Sequence, residues 1–200
     1  MSSPAPFRVA FVPGVTPDKW ARVWRERHPD LPLELSPVAE DAPRAVLASG
    51  DADLCLARLP ARRSDLVGDD LHCVVLYEEL PVVVAASDHL VAAAEQVTCA
   101  DLDEEQLVRP HPSGWRPAAE QFDFPAMTDA EAVATVAAGT GIVVLPMSVA
   151  RLHHRKDVVH RVVTDLPTTD VGLLWRREDD SDLHQDFVGI TKGRRASSSR

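Results

Sequence analysis

Short apolar segments that favour β-strands alternate with helix-like segments along almost the whole chain. Phe7–Val12 and Val158–Val163 are rich in residues that favour strands, namely valine and, in the first segment, phenylalanine, and Leu80–Ala86 is continuously apolar. A continuous apolar run of this length is typical of a strand that is covered on both faces. Regular alternation of such strands with helices predicts an α/β fold with mainly parallel sheets.

The first third of the chain shows this alternation most clearly. Thr16 is a suitable N-cap and Pro17 a suitable first residue for a helix that follows Phe7–Val12 and ends near His28. Further strands are predicted at Leu33–Ser36 and Asp53–Leu59, and a helix between them at Asp41–Ser49. Gly50 then occupies the position that glycine prefers after a helix.

The rest of the chain continues the pattern around one interruption. Residues 106–126 contain several prolines and no clear periodicity, so we predict a loop there. The strongest helix start is Thr128–Glu131, a capping box in which threonine and glutamate satisfy each other's backbone amides. The remaining predicted strands are Leu71–Tyr77, Leu80–Ala86, Ile142–Leu145, Val158–Val163 and Val171–Arg176, and the remaining helices are Thr98–Glu105, Met147–His153 and Asp182–Ile190.

Charge is unevenly distributed along the 200 residues, whose net charge is −10. Residues 191–200 carry four basic residues and no acid, which leaves 17 basic and 31 acidic residues, or −14, on the first 190. Because non-specific affinity for DNA comes from lysine and arginine, we expect no direct DNA binding by the folded body. We predict a disordered basic tail over 192–200, which would contact nucleic acid or an acidic partner or simply be solvated.

The sequence shows no motif for a metal, a cofactor or a membrane. Three cysteines without paired spacing predict neither a disulfide framework nor a CxxC site, and His153, His154 and His160 match no zinc pattern. No nucleotide-binding glycine motif is present. No apolar stretch approaches the ~20 residues that cross a bilayer, and the amino terminus does not look like a signal peptide. These features predict a cytoplasmic protein.

Four stretches resemble the effector-binding domain of LysR-type transcriptional regulators. Residues 7–16 resemble the first strand, glycine turn and helix start of that domain, and 46–56 resemble its L-x-x-G-x-x-D turn. The third stretch is residues 77–90, which end in Ala-Ser-Asp-His-Leu. The fourth is residues 128–146, which contain Val-Ala-Ala-Gly-Thr-Gly-Ile-Val-Val-Leu-Pro. The order is that of the family, and the resemblance covers about residues 7–190.

The resemblance implies a two-lobed, type 2 periplasmic-binding-protein-like fold that binds a small effector in the cleft between the lobes. Lobe I is expected at 7–104 plus 171–191, and lobe II at 105–170. Lobe II is expected to be shortened, because 109–127 replaces a family helix and strand. Phe7 stands near the start of the given sequence, so the family's helix-turn-helix is expected to be absent and the chain is expected to regulate transcription through a partner.

The resemblance also implies the candidate site. Gly14, Val15 and Thr16 form the turn and start of the first helix, where free amides favour an anion such as a small carboxylate. Arg58 is a carboxylate partner or, alternatively, part of a salt bridge. Thr128 is a ligand contact, a helix cap or both. Ser87, near the hinge, and Ser113, in a lobe II loop, complete the candidate residues.

The sequence leaves three functions open. The leading hypothesis is a non-enzymatic effector-sensing module that forms a homodimer and that co-assembles with a full-length regulator. The first alternative is an enzyme on the same fold, for which no paired carboxylates or nucleophile–base set is visible. The second alternative is an exported solute-binding protein.

Overall fold

The structure is a computed structural model that describes residues 4–193. Within it the chain divides into two compact units: unit 1 comprises residues up to Tyr77 and from Asp170 onward, and unit 2 comprises Glu78–Thr169. The expected boundary at 104/105 differs from this division. Residues 81–97 pair with strands that lie after residue 142, so the backbone hydrogen bonds place them in unit 2. The last seven residues of the predicted tail lie outside the described residues.

Unit 1 is built on a five-stranded sheet in the order β2-β1-β3-β9-β4. Its strands are β1 (Phe7–Phe11), β2 (Leu33–Pro37), β3 (Leu54–Arg58), β4 (Leu71–Glu79), which continues two residues past the unit boundary, and β9 (Thr169–Arg176). Its helices are α1 (Asp18–Arg27), α2 (Pro43–Ala48), α3 (Ser64–Val67) and α6 (Asp182–Thr191). β1 pairs in parallel with β2 and β3, whereas β9 is antiparallel to β3.

Aromatic residues hold α1 and α6 against this sheet. Trp24 is fully buried and stacks on Phe7 with a centroid distance of 4.8 Å, and Phe187 of α6 packs against both rings. Burial of aromatic side chains on this scale dominates core energetics. The face of α1 that carries Trp20 and Trp24 is therefore the one that packs against the sheet.

Unit 2 contains a four-stranded sheet in the order β6-β8-β5-β7. Its strands are β5 (Pro81–Ala86), β6 (Gln96–Val97), β7 (Val143–Pro146) and β8 (Val158–Val163), and its helices are α4 (Asp129–Ala137) and α5 (Met147–Leu152). β5 is antiparallel to β7 and β8. The prediction of mainly parallel sheets is therefore wrong for unit 2, because periodicity does not determine strand direction.

The apolar run of β5 is buried on both faces, as predicted. Val82 and Val84 pack in one core cluster with α4, and Val83 and Ala85 pack in a second cluster on the opposite face. This division follows from the alternation of side chains along a strand. β5 is thus the centre of unit 2.

Residues 106–128 contain no helix or strand. Leu107 forms an isolated parallel bridge with Ile142, and Val108 N–H donates to the Ile142 carbonyl at 3.0 Å. The loop that was predicted from its prolines is confirmed.

Candidate functional site

The carboxyl ends of three parallel strands bring the unit 1 candidates together. β1, β2 and β3 run in the same direction, so their carboxyl ends lie at the same edge of the sheet. This edge carries the turn at Pro13, the segment at Glu40 and Arg58, the last residue of β3. In open α/β sheets, ligands bind outside the carboxyl ends of the strands. This edge is therefore where a ligand of unit 1 is expected.

The turn after β1 contains a residue, Gly14, whose backbone conformation suits glycine better than any other residue. Gly14 has φ +83°, and Val15 N–H donates to the Val12 carbonyl at 3.2 Å, which closes the turn. The Val15 side chain is 3% exposed and belongs to the core of unit 1. Val15 therefore offers a ligand no side chain, and its amide is engaged within the turn.

The prediction that Thr16 caps α1 is wrong. The helix begins at Asp18, the N-cap position is Pro17, and no side chain accepts a hydrogen bond there. The exposed Thr16 hydroxyl instead donates to the Gly14 carbonyl at 3.5 Å, the outer limit of a hydrogen bond. Thr16 is thus an accessible hydroxyl beside the turn.

The start of α1 is less favourable for an anion than the sequence suggested. Proline at the N-cap contributes no N–H, and Asp18 places a carboxylate in the first turn. That carboxylate balances the partial positive charge of the helix end. The expected attraction of a carboxylate ligand to Gly14–Thr16 is correspondingly reduced.

Arg58 is a buried cation that forms a salt bridge. Its side chain is 6% exposed, and Nη1 donates to the Pro13 carbonyl and to Glu40 Oε2, both at 2.8 Å. The sequence left two roles open for Arg58, a partner for a ligand carboxylate and a member of a salt bridge. The structure contains the salt bridge. The partner, Glu40, is 48% exposed and was not among the predicted site residues. Its position just after β2 is the signal that could have identified it.

In unit 2, Thr128 caps α4 as predicted. Its Oγ1 accepts from Glu131 N–H at 3.3 Å, while Glu131 Oε2 accepts from the Thr128 amide at 2.7 Å and hydroxyl at 2.8 Å. The hydrogen bond from the Thr128 amide, followed by that from its hydroxyl, lowers the pKa of Glu131. The capping box therefore engages the Thr128 hydroxyl both as donor and as acceptor.

The loop that contains Ser113 lies beside the same end of α4. Arg109 forms an ion pair with Asp129, the first residue of α4. Ser113 Oγ is 2.7 Å from His111 Nδ1 and accepts from Trp115 N–H at 3.3 Å. Desolvation, followed by the charge of Arg109, lowers the pKa of His111, which favours the neutral ring. Arg109 and Asp129 were missed because their contact joins residues that are distant in sequence.

Ser87 lies apart from this group. It follows β5, which starts at Pro81 just after the chain enters unit 2, and a strand rises about 3.3 Å per residue. Ser87 is therefore roughly 20 Å along β5 from that entry point. It is exposed, and its amide donates to the Asp157 carbonyl at 3.0 Å. Along β5, Ser87 thus lies away from the point where the chain enters unit 2, and its place near the hinge stays a prediction.

The histidines and acids of the described residues do not form a metal site. No group of three His, Cys, Asp or Glu side chains in residues 4–193 is arranged to hold an ion. Burial, followed by the charges of Arg151, His154 and Arg161, lowers the pKa of His160. No helix in the same residues is long and apolar enough to span a bilayer.

Solved structures share this fold. The effector-binding domain of BenM with its effector benzoate matches with a TM-score of 0.75 and 19% identity, over 94% of this chain and 90% of that chain. The oxidized form of OxyR matches with a TM-score of 0.70 and 24% identity, over 94% of this chain and 93% of that one. These similarities establish the fold.

Sequence comparison identifies the family. The curated Hca operon transcriptional activator HcaR of Escherichia coli (strain K12) is 23% identical over 210 residues, which cover 94% of this chain and 68% of HcaR. The family model of the LysR substrate binding domain matches residues 6–195. The chain therefore belongs to the LysR substrate-binding domain family, the effector-sensing domains of transcriptional regulators, and has their type 2 periplasmic-binding-protein-like fold.

Proposed function

We propose that this chain binds a small-molecule effector and that the bound effector changes transcription through a partner protein. The observation that carries the proposal is the junction at the carboxyl edge of the unit 1 sheet. There Arg58 ties the β1 turn to the segment after β2, in a chain that the family model matches almost throughout. An effector bound at this edge would contact three separate loops at once.

The proposed contacts in unit 1 are the turn at Gly14, the backbone at Val15, the hydroxyl of Thr16 and the region of Arg58. The first three are consecutive, and Arg58 reaches the preceding Pro13 carbonyl. Thr16 is exposed and its hydroxyl makes only a long hydrogen bond, so it exchanges partners easily. Thr16 is therefore the side chain that we propose as the main unit 1 contact.

The proposed contacts in unit 2 are Thr128 and Ser113, and they rest on the family resemblance. Both are exposed, and the Arg109–Asp129 ion pair holds their loop and helix together. Ser87 was in the same predicted set. Its place at the far end of β5 gives no support to a shared role with Thr128.

The family also supports the proposed setting. We propose a cytoplasmic homodimer that acts with a full-length regulator, and a folded body that does not itself bind DNA. BenM is described with its effector benzoate, which makes a small carboxylate the effector class suggested by resemblance. We propose binding without turnover, since the relative HcaR is described as a transcriptional activator.

Ligand screening by thermal shift tests this function. We expect at least one member of a panel of small carboxylates, amides and polyols, with benzoate included, to raise the Tm in a saturable way, because a ligand that binds only the folded state stabilises it. Calorimetry with that compound should show Thr16→Val and Thr128→Val each weakening Kd about threefold to tenfold, as expected for one hydrogen bond of about 1 kcal/mol.

Thr135→Val provides the matched control. Thr135 lies on the same helix as Thr128, and its hydroxyl donates to the Glu131 carbonyl at 2.9 Å. This variant should bind as tightly as the wild type. Undiminished affinity in both the Thr16 and Thr128 variants would show that the contacts are misassigned. Formation of a product from the bound compound would replace sensing with the enzyme alternative.

A further inference from the structure

At the candidate site, the charge of Arg58 is paired with a carboxylate of the protein itself, that of Glu40. Its guanidinium is 6% exposed and is held between the Pro13 carbonyl and Glu40 Oε2. Both acceptors belong to loops at the carboxyl edge of the sheet. A ligand that reaches this edge therefore meets an arginine whose charge the protein itself has balanced.

A competing carboxylate would have to displace Glu40 from Arg58. The Arg58 guanidinium is only 6% exposed, so breaking its pair with the half-exposed Glu40 is costly unless the incoming anion restores the contacts that Glu40 makes. The incoming anion would also meet the displaced Glu40 carboxylate, and like charges at short range in a partly buried site repel. The carboxylate of Asp18, at the start of α1, adds negative charge near the adjoining turn.

We propose that Glu40 occupies the anion position beside Arg58, so that the effector of this chain carries no carboxylate at that position and instead presents an uncharged donor. The exposed Glu40 carboxylate is an acceptor, which suits a ligand hydroxyl or amide N–H. This inference rests on the proposed function, which it deepens: the small effector is kept, but the carboxylate suggested by resemblance is replaced by an uncharged donor at Arg58. It separates this chain from a carboxylate sensor on the same fold.

Acetate, with acetamide as its uncharged counterpart, is the probe for this proposal. Both are titrated at constant ionic strength into the full chain while the Arg58 Nε–H signal is followed by ¹⁵N NMR, the signal being identified by its loss in Arg58→Lys. Glu40→Ala opens the position that Glu40 fills. Asp41→Ala, at the next residue, removes the same charge from the same loop and is the matched control.

We expect acetate to bind at Arg58 at least about tenfold more tightly in Glu40→Ala than in the wild type or in Asp41→Ala. Acetamide should show no such difference. Acetate should also raise the Tm of Glu40→Ala, since it supplies the missing counter-charge. If Glu40→Ala does not fold, Glu40→Gln removes the charge while keeping a side chain of the same size, and the same order of affinities is expected.

Two results would overturn the proposal. In one, wild-type chain binds acetate at Arg58 as tightly as the Glu40 variants do. In the other, acetate leaves the Arg58 signal unchanged in both Glu40 variants, so that no anion position exists. Failure of the proposed function looks different, because there no compound of the thermal-shift panel binds while the acetate titrations still rank the variants as expected.

Discussion

The three cysteine thiols have pKa values above the ordinary value, for causes that differ between them. Burial, followed by the charge of Glu40, raises the pKa of Cys55 to about 12. Burial raises that of Cys99 to about 11, with a further contribution from its hydrogen bond to Asp165. Burial is also the largest cause for Cys73, whose pKa is raised. The thiolate is the reactive form of cysteine, so these raised pKa values favour the protonated, less reactive thiol at pH 7.

We therefore expect the native chain to resist peroxide at neutral pH. Intact-mass spectrometry after exposure to H₂O₂ should show no sulfenic acid or disulfide at pH 7, with reaction increasing as the pH rises. Oxidation at pH 7 comparable to that of the urea-unfolded chain would contradict the assigned thiol environments. Because the folded state holds the Cys55 proton more strongly than the unfolded state, stability should also fall between about pH 9 and pH 12.

At the scale of single residues, local signals were predictable and long-range pairings were not. The Thr128–Glu131 capping box and the left-handed Gly50, with φ +72°, follow from neighbours in sequence and are confirmed. The Arg58–Glu40 pair joins residues 18 apart and exists because β2 and β3 flank β1. Nothing in the local sequence specifies that strand order.

The turn between α4 and β7 depends on two glycines whose surroundings differ. Gly139 and Gly141 have φ of +83° and +70°. A Cβ on Gly139 would meet nothing within 4 Å, whereas one on Gly141 would lie 2.1 Å from the Gln106 carbonyl oxygen. That oxygen is fixed in place, because it accepts from Ile142 N–H at 2.8 Å.

Alanine substitutions should separate backbone strain from this close approach. Gly139→Ala is expected to lower the free energy of unfolding by about 1–2 kcal/mol, the cost of a left-handed conformation for a residue with a Cβ. Gly141→Ala should cost more than about 4 kcal/mol, since strain and collision combine. Urea unfolding of both variants measures the difference. Equal losses would show that the Gln106 carbonyl is not held against the turn.

At the scale of helices and strands, the types of the elements were largely predictable, and their directions were not. Val158–Val163 has the predicted bounds, and β5 is buried on both faces as expected. The antiparallel pairing of β5 with β7 and β8 could not be predicted, because a continuous apolar run looks the same in either direction. Short helices were also overestimated: Thr98–Glu105 forms only a 3₁₀ turn at Ala100–Leu102.

At the scale of the whole molecule, the uneven charge predicts weak contact with nucleic acid. The first 190 residues carry 17 basic and 31 acidic residues, whereas residues 191–200 carry four basic residues and no acid. Affinity for DNA requires basic residues that displace counterions from phosphates. Residues 194–200 lie outside the described residues. Deleting residues 191–200 therefore tests whether the basic tail contributes to DNA binding.

We expect the chain that lacks residues 191–200 not to retard duplex DNA in an electrophoretic mobility assay at physiological salt. Any retardation by the full chain should disappear with that deletion and should weaken steeply as salt increases. The same DNA retarded by the shortened chain would contradict the assignment of a non-binding body.

The family and the two-unit organisation were predictable because they depend on order along the chain. The matched stretches at 7–16, 46–56, 77–90 and 128–146 fall in the order of the family pattern, and the family match covers residues 6–195. The boundary near residue 78 was harder to predict. Residues 78–104 belong to unit 2 because they include strands that pair with strands after residue 142, and this pairing is not visible in the local sequence.

Unit 2 is one continuous segment, whereas the sheet of unit 1 is completed by β9 from the far end of the chain. During synthesis on a ribosome, residues 78–168 of unit 2 all emerge before β9 does. β3 must therefore wait, with one edge open, until about half of the chain has followed it out of the exit tunnel. Unit 2 has all of its own residues by then, so the second unit in sequence is the first that can finish folding.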